Sequence, residues 1–206
     1  MGQGQIQNKK GQIMSQHAFH VEIEGIAPLI QNNPAKALDE MCKNKKTRKT
    51  AAEVPSDEWR TKVYHFEDGK TLGHPCEAIE YALQEAAKSF KAKGRGSMKT
   101  AVRQTCFADG TLMTITNREQ PDEVTRFTTR PVSGGMVPTY LPVFAAGWRM
   151  QFVFVLTEDE ILSVAHLKEI LDYCGARIGL GVHRPKYGRF MVVKFEEIEV
   201  PQKRAA

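Results

Sequence analysis

An antiparallel sheet carrying two helices on one face, an α+β domain, is what this chain predicts, and three observations carry the prediction. His17-Ala-Phe-His-Val-Glu-Ile-Glu24 alternates apolar and polar positions as a half-buried strand does. Ala78, Ile79, Ala82, Leu83, Ala86, Ala87 and Phe90 recur at three- and four-residue steps, the stripe of an amphipathic helix. Trp148 to Val200 then reads as strand, helix, glycine-rich loop and strand, a second strand-helix-strand unit.

Residues 1–14 are rich in Gln, Gly and Lys and predict a flexible N-terminal arm. In the strand that follows, His17, Phe19, Val21 and Ile23 point to one face and Ala18, His20, Glu22 and Glu24 to the other. Gly25-Ile-Ala-Pro-Leu-Ile30 ends it, and no period is sustained from there to about Gly73. That interval, an insertion at about 31–73, contains Lys43-Asn-Lys-Lys-Thr-Arg-Lys49, five positive charges in seven residues. So dense a run repels itself, and it reads either as a solvated loop or as an arm that folds along phosphates. Trp59, Tyr64, His65 and Phe66 follow, as a small local core or as rings for bases to stack on, with Asp68-Gly69 as a turn between short strands.

Pro75 suits the first position of the helix that carries the Ala78 to Phe90 stripe. Gly94 and Gly96 stop it, within a second basic stretch of Lys88, Lys91, Lys93, Arg95, Lys99 and Arg103. Arg103 to Phe107 and Thr111 to Thr116 predict a hairpin around Ala108-Asp-Gly110. The second insertion, 118–147, carries four prolines and three glycines and predicts an irregular extension with at most short strands, the best candidate being Thr125 to Thr129.

From Trp148 to Leu156 the pattern is again a strand. Thr157-Glu-Asp-Glu160 has the form of a capping box, which places a helix from Glu158 to Cys174 with Val164, Leu167, Ile170, Leu171 and Cys174 facing a core and Gly175 as a left-handed stop. The loop Gly175 to Arg189 combines Gly179, Gly181 and Gly188 with Arg177, His183, Arg184, Lys186 and Arg189. Up to five donors beside exposed amides suit a phosphate backbone; a merely solvated basic connection is the plainer reading. A dinucleotide or P-loop fingerprint is excluded, since Gly179-x-Gly181 follows a helix and precedes a strand, the reverse of those motifs. In the last strand, Phe190 to Ile198, period 2 puts Met191, Val193 and Phe195 on one face and Phe190, Val192 and Lys194 on the other. The element order is that of the split βαβ, ferredoxin-like fold, related to RNA-recognition domains although no motif of the RNP type occurs.

The 206 residues, 41% hydrophobic, suffice for one domain at 15–200, with 201–206 as a tail. A net charge of +5 favours an acidic partner. Cys42, Cys76, Cys106 and Cys174 lie far apart, which excludes a zinc ribbon and fits reduced thiols in the cytoplasm; neither they nor His74 and His166 have metal-ligand spacing. Nothing approaches the roughly 20 apolar residues of a membrane span or the apolar run of a signal peptide.

Three stretches carry a resemblance to a known family. Gly73-His-Pro-Cys-Glu-Ala-Ile-Glu-Tyr-Ala-Leu83 resembles the approach to the first helix in the repeat-associated mysterious protein (RAMP) superfamily of CRISPR effector complexes. Val21 to Leu29 is similar to the first strand and turn of its backbone subunits, and Ile178 to Phe190 to its glycine-rich loop, although Glu80 stands where a basic residue is common. The resemblance implies no cofactor, and side-by-side assembly with further copies of itself and other subunits along a single-stranded guide, RNA ahead of DNA. It places Arg177, Gly179, Gly181, His183, Arg184, Lys186 and Arg189 on the strand, and Lys43, Lys45, Lys46, Arg48 and Lys49 in an inserted arm; Lys93, Arg95 and Lys99 complete the basic set.

Some relatives cut RNA with a histidine or an aspartate after the first strand. Here His17 and His20 lie within it, one on each face, without a second well-placed acid or base, so the expectation is a binding protein and not an enzyme. The competing readings are a metal-independent endoribonuclease that processes guide RNA, a single-strand binding or annealing protein of a phage or mobile element, and a structural protein whose basic loops meet only proteins.

Overall fold

The computed structural model describes residues 5–7, 13–35, 57–92, 97–129, 137–158 and 161–200. At its centre is β2 (Ile13–Gly25). One edge of β2 pairs with β9 (Arg149–Thr157), which in turn pairs with β6 (Cys106–Ile115); the other edge pairs with β10 (Phe190–Ile198). All these neighbours are antiparallel, and the spatial order β10-β2-β9-β6 is that of the ferredoxin-like fold. β5 (Leu72–Pro75) and β4 (Tyr64–His65) extend the sheet beyond β6. β1 (Gln5–Gln7) pairs with Ile13 to Ser15, so part of the expected arm is an added strand.

The helices α1 (Cys76–Ala87), α2 (Met98–Thr105) and α3 (Val164–Tyr173) belong to one core with the inward side chains of the sheet. Phe19, Val21 and Ile23 of β2 face it, as the alternation predicts, with Met150, Phe152, Phe154 and Leu156 of β9. Ile79 and Leu83 of α1 and Leu167, Ile170 and Leu171 of α3 fill the other side. Each such large side chain contributes about 1.5–3 kcal/mol by leaving water. Cys76, Cys106 and Cys174 are unpaired and buried within this core, and burial raises all three thiols above their ordinary range. No described helix is long and apolar enough to cross a membrane.

Four local expectations are corrected. The hairpin around Ala108 is instead α2 followed by one strand: Met98, Ala101, Val102 and Thr105 form a buried stripe at helical spacing, and β6 runs from Cys106 to Ile115 with its register broken between Asp109 and Thr114. Among the described residues three α-helices therefore stand where two were expected. The last helix begins at Val164, where the Ser163 hydroxyl accepts from the His166 N–H, and not at Glu158. It passes through Gly175 as one wide turn, Cys174–Ile178, and stops at Gly179, whose N–H bonds the Cys174 carbonyl and whose φ is 75°. Gly175 is needed for packing, because a β-carbon there would stand 2.3 Å from the Phe190 carbonyl oxygen. In β10 a bulge between Val192 and Lys194 inverts the phase, so Phe195 follows Phe190 and Val192 inward and stacks on Phe19 with centroids 4.5 Å apart.

The 118–147 insertion is more regular than its prolines suggest. β7 (Glu123–Thr129) and β8 (Val137–Phe144) pair along their length, and β3 (Leu29–Ile30) completes a second, three-stranded sheet. The Pro142 carbonyl accepts from Gln31 N–H, so Pro142 turns its backbone groups toward β3; Pro138, four residues away, turns the same way. The missing N–H groups thus fall on the side away from β7, and that ladder is unbroken.

The two sheets meet at a corner held by Trp148, fully buried, whose indole N–H donates to the Ala27 carbonyl at 2.9 Å. Gly25 lies against that ring, where a β-carbon would come within 2.1 Å of indole atoms. Gly25→Ala should lower unfolding free energy by about 3 kcal/mol in chemical denaturation, an overpacking effect. Gly110→Ala, with φ of 89° but open space around it, should lose only about 1 kcal/mol.

Candidate nucleic-acid interface

The loop that follows α3 crosses over the end of β3 on its own glycines. A β-carbon at Gly181 would stand 2.4 Å from the Ile30 carbonyl oxygen, and one at Gly188 would stand 1.9 Å from that of Leu180. Val182 N–H donates to Ile30, Gly188 N–H to Pro28 and Leu180 N–H to Gly188. These amides, with that of Gly179, are spent inside the protein and do not add to the expected cradle. The chemistry the loop offers lies in its side chains.

At its tip His183 takes a left-handed conformation, φ 59°, and stacks on Phe127 of β7 with centroids 4.8 Å apart. Tyr187 meets the same Phe127 ring edge-on at 6.1 Å and carries Lys186 over its own ring at 5.4 Å. Phe127, Val182 and Tyr187 pack against Ile30, Leu141 and Val143, so the second sheet and the loop share a small core of their own. Arg184 turns the other way, its guanidinium 5.8 Å from the ring of Tyr81 on α1 and 3.5 Å from the Gly179 carbonyl. Arg177 and Arg189 are exposed, and Arg189 anchors the loop by its carbonyl, which accepts from Ile26 and Ala27.

Between the loop and the start of α1 lies a cleft of about 170 Å³, walled by Tyr64, His74, Pro75, Tyr81, Val182 and Arg184 among others. His74 is 3% exposed, its neighbour Gln31 fully buried. Gln31 Oε1 accepts from Tyr64 N–H at 3.1 Å, which turns its Nε2 toward the Gly73 carbonyl at 2.7 Å and His74 Nδ1 at 3.3 Å. An amide nitrogen only donates, so His74 Nδ1 accepts and the imidazole proton sits on Nε2. That nitrogen has no partner among the described groups.

The remaining predicted residues do not join this site. Lys43, Lys45, Lys46, Arg48, Lys49, Lys93 and Arg95 lie outside the described residues. Lys99 pairs at 3.4 Å with Glu85, which also holds Lys88 at 2.6 Å. The helix-free face of the main sheet carries ion pairs: Arg149 with Glu24 at 2.7 Å and Glu22 at 3.7 Å, and Lys194 with Glu196 at 2.9 Å. Lys194 does reach that face, but Phe190 is buried on the other, and the exposed aromatic there is Phe107 of β6. His17 points inward with Nδ1 2.7 Å from Glu197 and Nε2 3.6 Å from Glu158, while His20 lies on the opposite face beside Glu196. Gln31, Tyr81 and Phe127 had no signal in the sequence; His74 had one, its place directly before the helix-opening Pro75.

No family model matches the chain, and no curated protein does. Among solved structures it is similar to a chain in a cryo-EM structure of the type III-B Cmr-beta complex bound to cognate target RNA, with a TM-score of 0.55 and 10% identity. The match covers 89% of this chain and 61% of the other, so this chain spans less than two thirds of its counterpart. At that identity the likeness is one of fold.

Burial, and secondarily the Arg184 charge, hold the His74 pKa down at about 4. An unfolded histidine titrates near 6.5. Below that pH the unfolded chain takes up a proton that the folded chain refuses, so this group weakens the fold as pH falls from about 6.5 toward 4, by about 2 kcal/mol at pH 5. His74→Leu removes the titration: between pH 7 and pH 5 the wild type should lose about 2 kcal/mol more than the variant in urea denaturation. Equal losses would contradict a buried neutral ring.

Proposed function

We propose that the chain is a non-catalytic subunit that binds single-stranded nucleic acid, RNA ahead of DNA, and assembles with further copies of itself along a guide strand in a CRISPR-like effector complex. The observation that carries the reading is the placement of cationic and aromatic side chains on both sides of the glycine-rich loop, His183, Lys186 and Phe127 on one and Arg184 with Tyr81 on the other. Rings and guanidinium planes accept unstacked bases, while the cations hold phosphates, the combination that single strands require. The likeness of fold to a chain of an RNA-bound complex supports the same reading. Arg177, Lys186 and Arg189 have no carboxylate partner among the described residues and stand ready for phosphates, whereas the ion-paired sheet face supplies little free charge.

The binding role is read as non-catalytic because His17 is engaged by two carboxylates and His20 projects from the other face, so the two cannot act on one phosphate. A labelled single strand should therefore stay intact with the wild type and with the His17→Ala, His20→Ala double variant alike. Time-dependent cleavage lost in the variant would overturn that.

Binding itself is tested by anisotropy across a salt series. Arg177→Ala, Lys186→Ala and Arg189→Ala together should reduce the slope of log affinity against log salt by about 2, on the basis of about 0.7 per phosphate contact for single strands. The wild type should copurify with nucleic acid as a large particle that collapses on nuclease treatment. A small, clean species indifferent to single strands at moderate salt would sink the proposal.

A further inference from the structure

We propose that the cleft between the glycine-rich loop and the start of α1 takes one pyrimidine base of a bound strand, with His74 Nε2–H donating to a ring carbonyl oxygen. The inference rests on the nucleic-acid-binding reading for the source of the base. Its own foundation is the unpartnered donor. His74 is among the cleft walls and Gln31 is not; Gln31 occupies the Nδ1 edge of the imidazole, which leaves the Nε2 edge for a group seated in the cleft. Nε2 on that edge is buried and unbonded. Buried donors in native proteins have acceptors, and a group seated in the cleft that His74 lines supplies one.

Size and wall chemistry select the occupant. A cavity of about 150 Å³ takes a single benzene ring; at about 170 Å³ this cleft has room for one six-membered ring. Tyr64, Tyr81, Pro75, Ala78 and Val182 give it apolar and aromatic walls, and Arg184 lies close enough to Tyr81 for a planar base to contact both. A phosphate is disfavoured, because Arg184 is the one charged group among the described walls and His74 stays neutral there. A neutral ring with a carbonyl acceptor matches what remains, and every pyrimidine base carries such an oxygen.

The test uses labelled single-stranded RNA of one length in three forms, oligouridine, oligoadenosine and an abasic backbone, against the wild type, His74→Leu and His74→Gln, each checked by thermal melting. The wild type should bind oligouridine about tenfold more tightly than the abasic strand, the scale of one held base, and should prefer it to oligoadenosine. His74→Leu should lose that preference while keeping abasic binding, and His74→Gln, which returns an N–H near the Nε2 position, should restore part of it. Should His74→Leu fail to fold, Tyr81→Ala, on a ring that is 54% exposed, makes the same comparison. A preference unchanged by these substitutions, or absent from the wild type, overturns the pyrimidine site. Failure of all strands to bind, abasic included, overturns the proposed function instead; the cleft is then decided by titrating millimolar uridine into the wild type and following the His74 imidazole by NMR, where a saturable shift upholds the proposal and an unmoved signal ends it.

Discussion

Gln31 is the side chain on which the geometry of the cleft depends. It is fully buried, and its amide joins three segments that are distant in sequence: the end of β3, where it stands, Tyr64 in β4 and Gly73-His74 in β5. His74 Nδ1, the buried ring atom among these groups, would otherwise lack a partner, at about 1–3 kcal/mol. Because a glutamine amide has one accepting and one donating end, the bond to Tyr64 dictates which end meets His74. The tautomer of the histidine is thus decided by a backbone N–H on another strand, and the chemistry at the start of α1 is an outcome of how the sheet edge is assembled.

The glycine-rich loop shows the same division of labour. Its glycines let the backbone pass within contact of Pro28 and Ile30, and the amides of Gly188 and Val182 fasten it there. What projects from this fastened base is a set of long polar and aromatic side chains, each meeting a different neighbour: His183 on Phe127, Lys186 on Tyr187, Arg184 toward Tyr81. The main sheet behaves differently. Its open face spends Arg149 and Lys194 on Glu22, Glu24 and Glu196, pairs worth about 0.2–1 kcal/mol each when exposed, and so leaves these two cations no charge to spare, with carboxylates in excess. Attraction for an anionic strand on the described surface is therefore concentrated away from the face that RNA-recognition domains use.

Much of this fold was legible where one physical signal dominated. The alternation of β2, the stripes of α1 and α3 and the bounds of β10 follow from burial on one face, which writes a period into the sequence. Signals failed where a single residue or a distant partner decided the outcome. One extra residue at Val193 reverses the faces of half of β10, and no composition records it. α2 was hidden because Lys99 and Arg103 gave its short span the look of a basic loop, whereas its inward stripe is made by Met98, Ala101 and Val102. Of the site, the loop cations were legible as charge beside glycine; Gln31 and His74, 43 residues apart, were not legible as a pair because only the closing of the sheet brings them together.

The prolines of β8 have a further consequence, one of solubility. Strands at a sheet margin invite other strands, since a row of free donors and acceptors is a template for aggregation. Beyond the short reach of β3, the outer side of β8 lacks the N–H at Pro138, and within that reach it lacks the N–H at Pro142. A stray strand arriving there would find alternate rungs missing, so the margin is closed by covalent chemistry. The residues that made this segment look least like a strand are the ones that let it be a safe one.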